Sequence, residues 1–134
     1  MKLPTVSTVI GATFAATLFA GMVAGPALAQ GGGSTDVRAS GHCSAASTWK
    51  IKAKPDNGRI QIEMEVDSNR NGQTWAVNLT DNKVRVFSGN RVTVAPSGSF
   101  GVRVLAANRA GTDTITGTAR NLSTGERCTA TVRL

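Results

Sequence analysis

Two alternating runs flank the dipeptide Asn57-Gly58, and together they leave this chain few folds to choose from. On one side Trp49, Ile51 and Ala53 alternate with Lys50, Lys52 and Lys54; on the other, Ile60, Ile62, Met64 and Val66 alternate with Arg59, Gln61, Glu63 and Glu65. A period of two marks a strand with one buried and one solvated face. Asn-Gly supplies the positive φ angles of a two-residue type I′ hairpin. That loop sets Trp49 opposite Val66, Ile51 opposite Met64 and Ala53 opposite Ile62, and on the other face Lys50 opposite Glu65 and Lys52 opposite Glu63. A slip of one residue would set lysines against core residues, so turn and pattern demand the same register.

After residue 40 the chain shows alternation and frequent turn signals rather than a helical period. Strands are expected over residues 74–80 with Trp75, Val77 and Leu79 inward, over 83–87, briefly over 91–95, and over 100–105. A last hairpin is expected from 112–120 and 127–134. Pairing Arg120 with Arg127 brings Ala119 opposite Cys128, Gly117 opposite Ala130 and Ile115 opposite Val132. The other face then becomes a threonine ladder, Thr118 with Thr129 and Thr116 with Thr131. About seven strands in this order predict an all-β fold, a single immunoglobulin-like antiparallel β-sandwich.

Cys43 and Cys128 bracket nearly all of that pattern and are the only two cysteines. Both share the inward parity of their neighbours, which predicts a disulfide between the opening segment and the last strand. In the chain-entropy view, closing a loop that long stabilises by roughly 4–5 kcal/mol, a large share for a small core. Such a bond implies an oxidising compartment, and the start of the chain agrees. Lys2, an apolar run over 9–24, the helix-breaking Gly25-Pro26 and the small-residue site Ala27-Leu28-Ala29 read as a signal peptide over residues 1–29. Gln30-Gly31-Gly32-Gly33-Ser34-Thr35 opens a flexible leader over 30–40, because glycine and serine bury little and cost most to order. The sandwich is expected over 41–134, as a secreted, extracellular monomer with no membrane segment after cleavage.

The stretches Trp49-Lys50-Ile51-Lys52-Ala53-Lys54, Val66-Asp67-Ser68-Asn69, Gly72-Gln73-Thr74-Trp75 and Thr124-Gly125-Glu126-Arg127-Cys128 resemble a group of small exported proteins of actinobacteria. The resemblance covers about residues 41–134. It implies an immunoglobulin-like β-sandwich and carries over no catalytic or binding residue.

Few side chains carry chemistry. The chain has one histidine, no tyrosine and a net charge of +7. His42 stands at the mouth of the domain, and Glu63 and Glu65 face lysines, so general acid–base catalysis has little to draw on. The sequence predicts no enzyme, no catalytic residue and no cofactor. Asp67-Ser68-Asn69-Arg70-Asn71-Gly72 matches the first half of a calcium loop, with Asp67, Asn69 and Asn71 as oxygen donors. Asn78 stands where the loop's closing glutamate belongs, which favours a plain Asn/Gly turn and no metal. Trp49 and Trp75 have core parity rather than that of a sugar platform.

Lys50, Lys52, Lys54, Arg59, Arg85, Arg103 and Arg133 form a candidate basic face. Lysine alternation on a first strand also guards an exposed sheet edge. The charge suits anionic cell-envelope polymers or extracellular nucleic acid, with no motif for specific nucleic-acid readout, and the expected partner is an anionic cell-envelope polymer or an unknown protein. The expected function is a secreted, non-enzymatic binding domain. The alternatives are a small inhibitor of a secreted hydrolase, presenting the loop over residues 67–72, and a structural envelope protein.

Overall fold

The structure, a computed structural model, describes residues 36–134. The signal peptide and the leader up to Thr35 lie outside the described residues. Eight strands follow in order: β1 Val37–His42, β2 Thr48–Asp56, β3 Arg59–Asp67, β4 Thr74–Asp81, β5 Val84–Val92, β6 Ser99–Ala107, β7 Thr114–Asn121 and β8 Arg127–Arg133. They form two antiparallel four-stranded sheets, β1-β2-β3-β6 and β5-β4-β7-β8. β3 and β6 neighbour each other as strands B and E do in an immunoglobulin sheet, and β5-β4-β7-β8 runs in the order C′-C-F-G. The fold is the expected sandwich with one strand more.

The hairpin that opened the sequence reading has the expected register: Trp49 pairs with Val66, Ile51 with Met64, Ala53 with Ile62, Lys50 with Glu65 and Lys52 with Glu63. Its turn has φ of 51° at Asn57 and 80° at Gly58, as a type I′ loop requires. The β7–β8 hairpin also matches, from Arg120 opposite Arg127 to Ile115 opposite Val132.

Three expectations are corrected. The fold begins at Val37 rather than near Gly41, since β1 pairs with β2 from Val37–Ala53 to His42–Thr48. The part of the 30–40 leader from Val37 onward is therefore strand, and β2 is an interior strand whose lysines guard no edge. The separate strands expected over 83–87 and 91–95 are one, β5, because Ser88-Gly89-Asn90 continues the ladder with β4. Gly89 has a packing reason to be there: a Cβ would meet the Phe87 ring at 3.3 Å. Finally, Trp49 is only half-buried. Its indole lies across Gly41, where a Cβ would come within 2.6 Å of the ring, and its Nε1 donates to the carbonyl of His42 at 3.1 Å.

Between the sheets, Ile51, Ile60, Ile62, Met64 and Val66 meet Trp75, Val77, Leu79 and Ile115, all nearly inaccessible. Trp75 is fully buried and packs against Phe100, with ring centroids 6.1 Å apart. The disulfide joins Cys43, just after β1, to Cys128 on β8, and so ties an edge of one sheet to an edge of the other. Cys128 is buried while Cys43 is half-exposed. The loop between β1 and β2 is fastened beside that bond. Ser44 N–H donates to the Arg127 carbonyl, and the Glu126 carboxylate accepts from Ala45 N, Ser47 N and Ser47 Oγ at 3.1, 2.8 and 2.8 Å.

Candidate functional site: two outer faces of opposite character

Strand parity sends every second residue outward, so each sheet writes its own chemical surface. On the first sheet the outward rungs read Arg38–Lys52–Glu63–Arg103 and Ser40–Lys50–Glu65–Gly101 across β1, β2, β3 and β6. They line an open trough of about 690 Å³. Its charges are largely matched from within. Glu63 takes Arg103 at 2.8 Å, Lys52 at 3.8 Å and the Gln61 amide at 2.7 Å, and Arg38 pairs with Asp36 at 2.9 Å. Exposed pairs of this kind contribute about 0–1 kcal/mol each and are screened by salt. Lys54 lies on the next rung, opposite Gln61, and Arg59 beside the hairpin turn, opposite Asp56.

The second sheet is different. Its outward residues are Thr74, Ala76, Asn78 and Thr80 on β4, Arg85, Ser88, Asn90 and Val92 on β5, Thr114, Thr116, Thr118 and Arg120 on β7, and Arg127, Thr129, Thr131 and Arg133 on β8. Four are arginines and none is Asp or Glu. Arg120 and Arg127 sit directly opposite each other at one end. Arg133 lies six residues further along β8, about 20 Å at the rise of a strand. The threonine ladder fills the field between. Arg120, Arg127, Thr118, Thr129 and Ala76 line a depression of about 260 Å³.

The candidate basic residues thus separate. Lys50, Lys52, Lys54, Arg59 and Arg103 stand on the outer face of the first sheet, and Arg85 and Arg133 on that of the second. Sequence reasoning passed over Arg38, Arg120 and Arg127. The register of the last hairpin held the signal for the latter two, since it set them opposite one another and gave their face no acidic residue.

The segment 67–72 is a braced turn. The Asp67 carboxylate accepts from Asn69 N–H at 2.9 Å, and Asn69 has φ of 60°. Thr93 Oγ1 donates to the Arg70 carbonyl at 2.6 Å, and Ser68 N–H donates to the Gly98 carbonyl. Gly98 packs so tightly that a Cβ would fall 2.2 Å from Arg70 N. Asn69, Arg70 and Asn71 remain exposed at the tip. Among the described residues, no three His, Cys, Asp or Glu gather as metal ligands. His42 is exposed at the end of β1, where it pairs with Thr48 and its carbonyl accepts from Trp49 Nε1.

One buried polar cluster was not foreseen. Asp81 ends β4 with inward parity and is fully buried, close to Asp113, which is 2% exposed. Neither carboxylate oxygen of Asp81 meets a donor. Burial, the neighbouring Asp113 charge and a hydrogen bond that only a protonated carboxyl can share push the Asp81 carboxyl above its ordinary range, with Arg109 opposing. Nearby, the Asn82 side chain donates to the Thr112 carbonyl at 3.2 Å and accepts from Thr114 N–H at 2.9 Å.

No protein-family model, no curated protein and no solved structure matches this chain. The class defined by fold and surface is therefore an all-β, disulfide-closed two-sheet sandwich. Among the described residues, no helix is long and apolar enough to cross a membrane.

Proposed function

We propose that this protein is an exported, non-enzymatic binding module that docks an anionic envelope polymer on the outer face of its second sheet. The observation that carries this reading is the acid-free face itself, with Arg85, Arg120, Arg127 and Arg133 among threonines and no carboxylate. Like charges placed directly across a ladder, as Arg120 and Arg127 are, cost stability. An anionic partner turns that cost into attraction. Arginine suits the task because its guanidinium keeps its charge and binds oxyanions through paired donors. The disulfide-braced scaffold presents the face without reorganisation. Retention of the mature protein on an anionic wall fraction, with release by rising salt, is the expected result. Retention that ignores salt would oppose the reading.

A second reading rests on the braced tip at Asn69-Arg70-Asn71. A loop held from beneath by Thr93 and Gly98 and exposing an arginine has the form of a protease inhibitor's binding loop. It predicts inhibition of a secreted protease that cleaves after basic residues, abolished by Arg70→Ala. No inhibition across a panel of such proteases would discard it.

A further inference from the structure

The acid-free face is not uniform, and its concave end has chemistry of its own. Arg120 and Arg127 both line the depression of about 260 Å³, with Thr118 and Thr129 on the next rung and Ala76 of the neighbouring strand beside them. Ala76 is what makes the site concave, since any longer outward side chain on β4 would stand where the two guanidinium groups now have room. The backbone of Arg127 is held by the loop after β1, its N–H donating to Ser44 Oγ at 2.9 Å and its carbonyl accepting from Ser44 N–H at 2.8 Å. Two guanidinium forks and two hydroxyls therefore border one small, open volume.

The donors select among anions. A carboxylate offers two oxygens in one plane, enough for a single guanidinium fork. Two forks approaching from opposite strands, with hydroxyls between them, call for oxygens spread in three dimensions. We propose that this depression seats a tetrahedral oxyanion with three terminal oxygens, the sulfate or phosphate monoester group of an anionic polymer. This assignment rests on the polyanion reading above and narrows it, because it separates sulfated or phosphorylated chains from carboxylated ones. The seated anion also removes the repulsion between the two arginines, so occupancy and fold stability are linked by mass action.

The test titrates isotope-labelled mature protein with inorganic sulfate, inorganic phosphate or acetate at constant ionic strength. It follows the Arg120 and Arg127 side-chain N–H signals and the Thr118 and Thr129 amides. Saturable shifts are expected with sulfate and phosphate, and binding at least about tenfold weaker with acetate, the order that one lost charge-assisted hydrogen bond produces. The sulfate and phosphate arms separate the two sources of the group by their relative affinities. Arg120→Lys and Arg127→Lys keep the charge but lose the fork, and each should weaken sulfate binding about tenfold. Ala76→Leu, which fills the depression and alters no charge, should do the same, while Arg85→Lys should leave binding unchanged. A melting curve for each variant confirms that it is folded. Equal binding of acetate, or indifference to both lysine variants, overturns the seat. Retention on a polyanionic resin, measured on the same samples, then tells whether the broader reading falls with it: salt-reversible retention keeps that reading, and no retention ends it.

Discussion

Asp81 shows how a single residue can run against the alternation that otherwise governs this chain. It occupies an inward position at the end of β4, where Val77 and Leu79 set an apolar parity, and its carboxyl faces Asp113 with Arg109 nearby and the Asn82 amide on the adjoining turn. Its folded pKa is raised above the unfolded value near 3.8. The protonated Asp81 carboxyl therefore contributes stability that is fully present below the unfolded value and is lost as pH rises through the folded one. Asp81→Asn should melt at a higher temperature than the parent at pH 7, with the difference shrinking towards acid pH. Thermal melts of both proteins over a pH series check this. An asparagine variant less stable than the parent at pH 7, with the deficit vanishing towards acid pH, would show instead that Asp81 is held charged by a partner.

Gly117 makes a related point about what sequence reading can reach. The small residues Gly117 and Ala119 stand opposite Ala130 and Cys128, as the register of the last hairpin expects. The space above Gly117 is filled by Met64 of the other sheet and by Leu79 of the neighbouring strand β4, since a Cβ there would lie 2.5 Å from Met64 Sδ and 2.9 Å from Leu79 Cδ2. Parity reveals which side of a sheet a residue faces. It does not reveal which residue of the opposite sheet arrives there.

At the scale of elements, legibility followed the density of alternation. β2 and β3 carry unbroken alternation and an Asn-Gly turn, so strand, register and face were all readable. The β7–β8 hairpin was readable because its small and threonine residues pair consistently. β1 was not, because Val37 and Ala39 are the only apolar side chains that Val37-Arg38-Ala39-Ser40-Gly41 offers the core, each partly buried, and the segment sits beside a Gly/Ser-rich stretch. Its reason for being a strand lies elsewhere in the chain, in the edge of β2 and the Trp49 indole that covers Gly41. In sequence β5 looks like two strands because Ser88-Gly89-Asn90 has the composition of a turn, while its ladder to β4 is a tertiary fact.

This account of β1 predicts the effect of removing it. A mature chain lacking residues 36–41 should lose about 2 kcal/mol or more, from the partial burial of Val37 and Ala39 and the exposure of the β2 edge. For a domain of this size that is a fall of roughly 8–16 °C in melting temperature. Trp49 fluorescence should shift to the red as its indole loses the strand beneath it. An unchanged melting point and spectrum would mean that β1 adds nothing to the sheet.

For the molecule as a whole, the fold divides charge between two faces. The first sheet uses its acids, Glu63 and Glu65, among its lysines and arginines, and Glu63 holds ion pairs to both neighbouring strands. The second sheet has no acid among its outward residues to pair with its arginines. Composition reported the basic excess, yet it could not assign that excess to faces, because the assignment depends on which strands share a sheet. The disulfide holds the two sheets together at Cys43 and Cys128.

The most direct test of that division is a comparison of charge reversals on the two faces. Retention of the mature protein on an anionic wall fraction would be measured as a function of salt for the parent, for Arg120→Glu with Arg127→Glu, and for Lys50→Glu with Lys52→Glu. Each pair changes net charge by the same amount. The account predicts that the arginine pair abolishes retention at low salt and that the lysine pair reduces it only modestly. Equal losses from both pairs would contradict it, because binding would then follow total charge and not the acid-free face.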